Sequence, residues 1–170
     1  TKVKKELDSE KQRNDVMLII GGKGELGERL RQLVEELGLK HTILPGYISY
    51  DKDLPRYYQA SDLFIMPSVT LEGFGLSTIE AMACGVPVLG TPTGGTPEIL
   101  REILPDFILS GVKPEDIASG ILHKLPRLCD PTLQAQVCTF AQRYSWKRIA
   151  DSVEVLFQEL VSRKSTASRL

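Results

Sequence analysis

From Val16 onward, short apolar runs alternate with helix-patterned stretches at roughly twenty-residue intervals. The runs are "VMLII" (16–20), "HTILPGY" (41–47), "DLFIMPS" (62–68) and "VPVLGT" (86–91), with "FIL" (107–109) as a short last strand. Strands and helices in this rhythm form right-handed βαβ units, which build a parallel sheet covered by helices on both faces. A run such as "VMLII" is then expected to be a strand buried on both sides. Ligands of such sheets bind beyond the carboxyl ends of the strands, where loops feed helix N-termini. The loops that matter are therefore 21–25, 45–53, 67–75 and 90–96.

The intervening helices carry start and stop signals. Leu26, Leu30, Leu33, Val34 and Leu37 recur at helical spacing, and Gly38 is placed to end that helix. Asp53 is expected to cap "DLPRYYQAS", with Pro55 near its start. A helix from about Gly75 to Cys84 should stop at Gly85, and Thr96 is expected to cap the helix in "GGTPEILREIL". The remainder reads as helices over 114–125, 131–144 and 145–163. Ser145 is the expected cap of the closing helix and Trp146 its packing anchor. Residues 164–170 are expected to fray. Residues 1–14 read as the tail of a preceding helix, as in a segment cut from a longer protein, or else as a processed or tagged terminus. The whole of 1–170 reads as a single domain.

Composition narrows the function classes. Twenty-one basic against 22 acidic residues give a net charge of −1, without the basic excess of a nucleic-acid surface. Cys84, Cys129 and Cys138 have no metal-ligand spacing and suit a reducing, cytoplasmic setting. His41 and His123 stand alone, so no metal is expected. No apolar run approaches the roughly 20 residues of a spanning helix. Cys84, among small residues, reads as buried and inert, and Asp62 as a turn or cap group.

Gly22, Gly24 and Gly27 form G-x-G-x-x-G between a strand and a helix, the spacing of the dinucleotide fingerprint. The confirming acid should end the next strand, which instead reads "PGYIS"; Asp51 comes late, in a loop. The triplet points to a tight turn near a ligand of another kind, with a nicotinamide- or flavin-dependent enzyme as the weaker alternative.

The segment "EGFGLSTIE" (72–80) carries more chemistry. Gly73 and Gly75 permit backbone torsions other residues avoid. If a helix starts near Gly75, the amides of Gly75, Leu76 and Ser77 are free to bind an anion. No Walker lysine is present. Glu72 then precedes the anion site, and Glu80 lies about 7.5 Å further along the helix axis. Glu80 is expected to share a face with Leu76 and Ala83 that points toward the sheet. A carboxylate there needs hydrogen-bond donors, and ligand hydroxyls qualify. The blander alternative is a solvated Glu72 and a Glu80 satisfied by a neighbour or water.

In this context the stretch "DLFIMPSVTLEGFGLSTIEAMACGVPVLGTPTGGTPEIL" resembles the nucleotide-sugar-binding domain of retaining glycosyltransferases of family four, or group one. These have the twin-Rossmann, GT-B architecture. "LIIGGKGELGERL", "ILPGYIS", "QASDLFIMPS" and "RYSWKRIADSVEVLF" are similar to further segments of that family, so the likeness covers most of the chain. The resemblance implies an α/β, Rossmann-like parallel sheet with helices on both faces, forming the C-terminal, donor-binding half of an enzyme. It implies that Glu72 lies beside the donor sugar and reacting centre, and that Glu80 accepts from the ribose hydroxyls. It places the amides of Gly73, Phe74, Gly75, Leu76 and Ser77 at the sugar and diphosphate. Tyr47 and Ile48 border the base, and Gly22 lies near the diphosphate. Gly94 and Gly95 match the family's Gly-Gly turn, with no contact assigned.

The implied donor is a UDP- or GDP-sugar, with no cofactor, no metal and no nucleic acid. The acceptor would be bound mainly by an N-terminal domain outside this chain, and peripheral membrane association of the full-length enzyme is compatible with the resemblance. The family's donor-facing Arg and Lys lie in the turn after the domain's first strand, upstream of these residues. Lys2, Lys4 and Lys5 do not match them, and Lys23 has no clear family counterpart. The 170 residues alone are therefore expected to bind nucleotide weakly and to transfer nothing. The alternatives are a nucleotide-sugar epimerase of related architecture and a non-catalytic nucleotide-binding module.

Overall fold

The computed structural model describes residues 16–70 and 72–167. The expected segment 1–14 and the extreme tail 168–170 lie outside them. Strand β1 (Leu18–Gly21) leads to helix α1 (Gly27–Glu36) and strand β2 (Thr42–Gly46). Helix α2 (Leu54–Gln59), strand β3 (Phe64–Met66), helix α3 (Leu76–Ala83) and strand β4 (Val88–Gly90) follow. Helix α4 (Thr96–Ile103) and a 3-10 turn at Pro105–Phe107 precede helices α5 (Pro114–Lys124), α6 (Pro131–Ala141) and α7 (Trp146–Ala167).

The α/β alternation stands, and every strand pairing is parallel. Leu18 faces Thr42 and Ile19 faces Ile43, while Phe64, Ile65 and Met66 face Val88, Leu89 and Gly90. The ladder is divided, however. Among the described residues β1–β2 and β3–β4 form two separate pairs. The segment "FIL" contributes only a bridge between Ile108 and Gly90, closed by the Leu109 amide on the Gly90 carbonyl at 2.8 Å. Phe107 is spent in the 3-10 turn that Pro105 opens, which leaves too little chain for a strand.

The core belongs to the second pair. Val88 and Leu89 are essentially inaccessible, as a parallel strand covered on both faces should be. They pack with Met82 of α3, Leu100 of α4, Phe107, and Leu133 and Val137 of α6. "VMLII" departs from expectation: Leu18 is 39% exposed, and Ile19 and Ile20 are only half-buried. No residue of α1 is buried, so that helix does not seal the strand it follows.

Local stops mostly follow the sequence. Gly38 takes the left-handed conformation (φ +62°) that ends α1. Thr96 is not a cap: Gly95 holds that position, and the Thr96 hydroxyl is buried 3.2 Å from that of Thr78. Ser145 caps α7 by accepting from the Arg148 amide at 3.5 Å. Trp146 is not an anchor. It is 77% exposed, and with Ile149, Val153 and Phe157 it lines an open apolar groove of about 830 Å³. Helical spacing gathers these side chains on one face of α7, none of whose described side chains is buried. The helix also runs to Ala167, beyond the expected end at 163.

This asymmetry sets an expected outcome. Phe107→Ala should cost about 3–5 kcal/mol in urea unfolding, because it empties the centre of the core. Trp146→Ala should stay within about 0.5 kcal/mol. Equal losses for the two would contradict this placement of the core.

Candidate functional site

The site residues lie on loops after strand ends, with α3 at the centre. Its N-cap is Gly75 at φ +83°, and no side chain caps the helix. A methyl group at Gly75 would stand 2.7 Å from the Thr96 hydroxyl oxygen, so both torsion and space demand glycine. The Thr78 amide turns back onto the Gly75 carbonyl at 2.9 Å. The amides of Phe74, Gly75, Leu76 and Ser77 have no acceptor among the described residues. Unpaired amides and the positive end of a helix dipole make an anion-attracting spot. Gly75 itself is buried, whereas Gly73, Phe74 and Leu76 are exposed and Ser77 is half-buried.

Glu72 is half-buried in the loop after β3 and accepts from the Ser68 hydroxyl at 2.9 Å. The Ser68 carbonyl in turn accepts from Thr91 at 2.6 Å, which ties this loop to the end of β4. The Gly94–Gly95 turn, given no contact from sequence, is what the loop rests on. A methyl at Gly94 (φ +68°) would overlap the carbonyl and Cβ of Glu72, and one at Gly95 would lie 2.9 Å from Phe74 Cα. The available signal was two successive glycines directly before a helix, in a loop after a strand.

Glu80 is held by two phenols. Tyr50 donates to one carboxylate oxygen at 3.1 Å and Tyr58 to the other at 3.3 Å. Tyr58 is buried, edge-on to Phe64 with ring centres 5.4 Å apart, whereas Tyr50 is 58% exposed. Burial, and then the Glu80 charge, push the Tyr58 phenol well above its ordinary value of 10.0. The hydrogen bond to Glu80 raises that of Tyr50. The expected face of α3 needs correction. Its buried residues are Thr78, Ile79, Ala81 and Met82, while Leu76 and Ala83 are exposed. At 100° per residue, 78, 79 and 82 cluster against the sheet, which turns Glu80 sideways toward α2. Sequence reasoning missed Tyr50 and Tyr58; no spacing rule marks a residue that reaches a helix through the fold.

The first two loops also meet. The Gly22 amide donates to the Gly46 carbonyl at 2.8 Å, and Gly22 sits at φ +141°. The tip of the Ile48 side chain lies over Gly21. Tyr47 is 72% exposed beside it. Gly22, Tyr47 and Ile48 are thus one cluster, joined through Tyr50 to Glu80. Glu72, Gly73 and Phe74 form a second cluster around Gly94 and Gly95. A methyl group at Gly24 or Gly27 would meet nothing within 4 Å, and the Gly27 amide closes the turn on the Gly24 carbonyl at 3.2 Å. The Cys84 thiol is half-buried and raised by burial, then by Cys138 and Glu80. Among the described residues, no group of three His, Cys, Asp or Glu is placed to hold a metal ion. No described helix is long and apolar enough to cross a membrane.

The sequence model of the family described as glycosyl transferases, group 1, matches residues 2–125. The D-inositol 3-phosphate glycosyltransferase of Corynebacterium jeikeium is 33% identical over 162 residues, covering 91% of this chain and 38% of that protein. The chain therefore spans well under half the length of this relative. Sucrose-phosphate synthase from Thermosynechococcus elongatus superposes with a TM-score of 0.73 at 26% identity, covering 86% of this chain and 39% of that one. HepE of Anabaena, solved in complex with UDP-glucose, gives 0.65 at 26% identity, covering 87% and 41%.

Two outcomes follow from the geometry. Gly94→Ala should destabilise by more than about 1 kcal/mol, since both its torsion and its contact with Glu72 are incompatible with a side chain; chemical unfolding measures it. The raised Tyr58 phenol means the folded chain keeps a proton that the unfolded chain loses above about pH 10. Its contribution is complete below that pH and falls as pH rises past it. Thermal melts from pH 9 to 11 should show Tyr58→Phe losing less stability across the range than the parent.

Proposed function

The chain belongs to the group 1 glycosyl transferases, and we propose that it is the donor-binding part of an enzyme that transfers a sugar from a nucleoside diphosphate to an acceptor with retention. The supporting observation is the order of groups through the loop before α3 and along the helix: a hydroxyl-held Glu72, a run of amides unpaired among the described residues, then Glu80. UDP is the proposed nucleotide, by analogy with the UDP-glucose carried by HepE. GDP is the other base considered.

In this reading the amides of Gly73, Phe74, Gly75, Leu76 and Ser77 take the sugar and diphosphate. Gly22 lines the diphosphate path, Tyr47 and Ile48 border the base, and Glu80 accepts from the ribose. Glu72 stands at the sugar. The bond between the anomeric carbon and the diphosphate oxygen breaks, and its electron pair stays on that oxygen. The acceptor oxygen bonds to the same carbon from the departing face and passes its proton to the departing diphosphate oxygen. The helix end stabilises the charge that develops on the leaving group. No metal is proposed; basic side chains outside this chain would complete the charge, and the acceptor would bind mainly to a part of the enzyme that these residues do not match. A cytoplasmic location, with at most peripheral membrane association, belongs to this proposal.

The test is made on the full-length enzyme. UDP should raise its melting temperature, and a UDP-sugar should be consumed only with acceptor present; consumption without acceptor would favour an epimerase. Glu80→Ala should weaken donor binding by about tenfold or more, the size of a lost charge-assisted hydrogen bond. Glu72→Ala should lower kcat by roughly 10²-fold with little change in KM. Unaltered kinetics for both variants would refute the site.

A further inference from the structure

The two phenols on Glu80 differ in a way that bears on ligand entry. Tyr58 is 7% exposed, sits on α2 within the core, and is fixed edge-on against Phe64. Tyr50 lies in the turn between β2 and α2, 58% exposed, and its described polar contact is the 3.1 Å bond to Glu80. One carboxylate oxygen therefore has a permanent donor and the other a donor that can leave. The hydroxyl of Tyr50 occupies the position from which a ligand hydroxyl would donate to the same oxygen. Tyr50 also lies two residues after Ile48 and three after Tyr47, on the loop that borders the Gly22 turn.

We propose that Tyr50 is a built-in competitor for Glu80: its hydroxyl stands where a ribose hydroxyl binds, and a nucleotide must displace it. Tyr58 is the positioning residue that keeps the carboxylate aimed while the exchange occurs. This rests on the donor-site reading given above. A carboxylate with one oxygen unpaired in a half-buried place is costly, so the empty site is closed by a phenol of the protein. A ligand that brings hydroxyls replaces one charge-assisted bond with another and gains only the difference. A ligand without them leaves Tyr50 in place. The device therefore lowers affinity for every ribonucleotide, while the loop that carries Tyr50 is released to move only when a ribose is present.

Loss of the Tyr50 hydroxyl should therefore tighten binding, the opposite of what loss of a structural contact or of a ligand-contacting group does. Calorimetric titration of the full-length enzyme with UDP and with its 2′,3′-dideoxy analogue tests this. Tyr50→Phe is expected to bind UDP about three- to tenfold more tightly than the parent and the dideoxy analogue with unchanged affinity, a range set by a partly exposed charge-assisted hydrogen bond. Tyr58→Phe is expected to weaken UDP binding, and Glu80→Gln to weaken it in both the parent and the Tyr50→Phe background. If UDP binding is absent in the parent, or indifferent to Glu80→Gln, the donor-site reading falls and this inference with it. If UDP binds through Glu80 but Tyr50→Phe binds it equally or more weakly, the competitor role alone is overturned. Equal tightening for both nucleotides also overturns it, because the ribose hydroxyls would then not be what displaces Tyr50.

Discussion

The turn at Gly94–Gly95 lies with its backbone directly against the backbone of Glu72, Gly73 and Phe74, and no side chain fits between them. That close approach sets the spacing of the two loops that leave β3 and β4. It is reinforced by hydroxyls that bridge the same loops. Thr91 donates to the Ser68 carbonyl, and the buried Thr78 and Thr96 hydroxyls pair across the first turns of α3 and α4. Each such bond is worth about 1 kcal/mol net, but leaving one partner unmatched in the interior costs more. The starts of the two helices therefore behave as one piece. Glu72 and the unpaired amides inherit their positions from it.

The rest of the site hangs on a less buried part of the molecule. β3 and β4 run through the core, whereas β1 and β2 keep exposed or half-exposed residues along their length. The tie across to α3 runs through α2 and the preceding turn: Tyr58 packs in the core, and both Tyr50 and Tyr58 reach Glu80. Few buried apolar contacts mean a lower free energy of local opening. The half that carries Gly22, Tyr47 and Ile48 is thus the adaptable side of the site, and the half that carries Glu72 the fixed side. On the donor-site proposal, nucleotide recognition would fall on the first and sugar placement on the second.

Much of this was legible in the sequence because it depends on local rules. The strand and helix rhythm, the stop at Gly38, the left-handed glycine at 75 and the Ser145 cap are all decided within a few residues of themselves. What depends on the assembled fold was not legible. "VMLII" has the composition of a doubly buried strand, yet burial requires neighbours that the run itself does not specify. Trp146 has the type of an anchor, but every described α7 side chain from Trp146 to Ser162 is exposed, so the helix offers no buried side for it to hold. Glu80 was given the wrong face because helical spacing fixes relative angles, not which angle meets the sheet. Gly94 and Gly95 could be named as a turn, but their partner loop lies some twenty residues away in sequence.

The charge pattern limits what this surface does by itself. No ion pair joins Glu72 or Glu80 to a Lys or Arg among the described residues; both carboxylates are held by hydroxyl groups instead. A carboxylate satisfied by neutral donors remains a good acceptor for further hydroxyls, which suits polyol recognition. It does nothing to attract a diphosphate, and two such groups beside the anion site oppose it. The helix end supplies about half a positive charge, against the two or more negative charges of a bound or departing diphosphate. Lys23, in the turn after β1, is exposed and forms no salt bridge among the described residues, so nothing fixes its charge beside the helix end. On the donor-site proposal, the arrangement would therefore hold the sugar and ribose ends of a donor more strongly than it would stabilise the leaving group between them, and turnover would call for further cations beside the diphosphate.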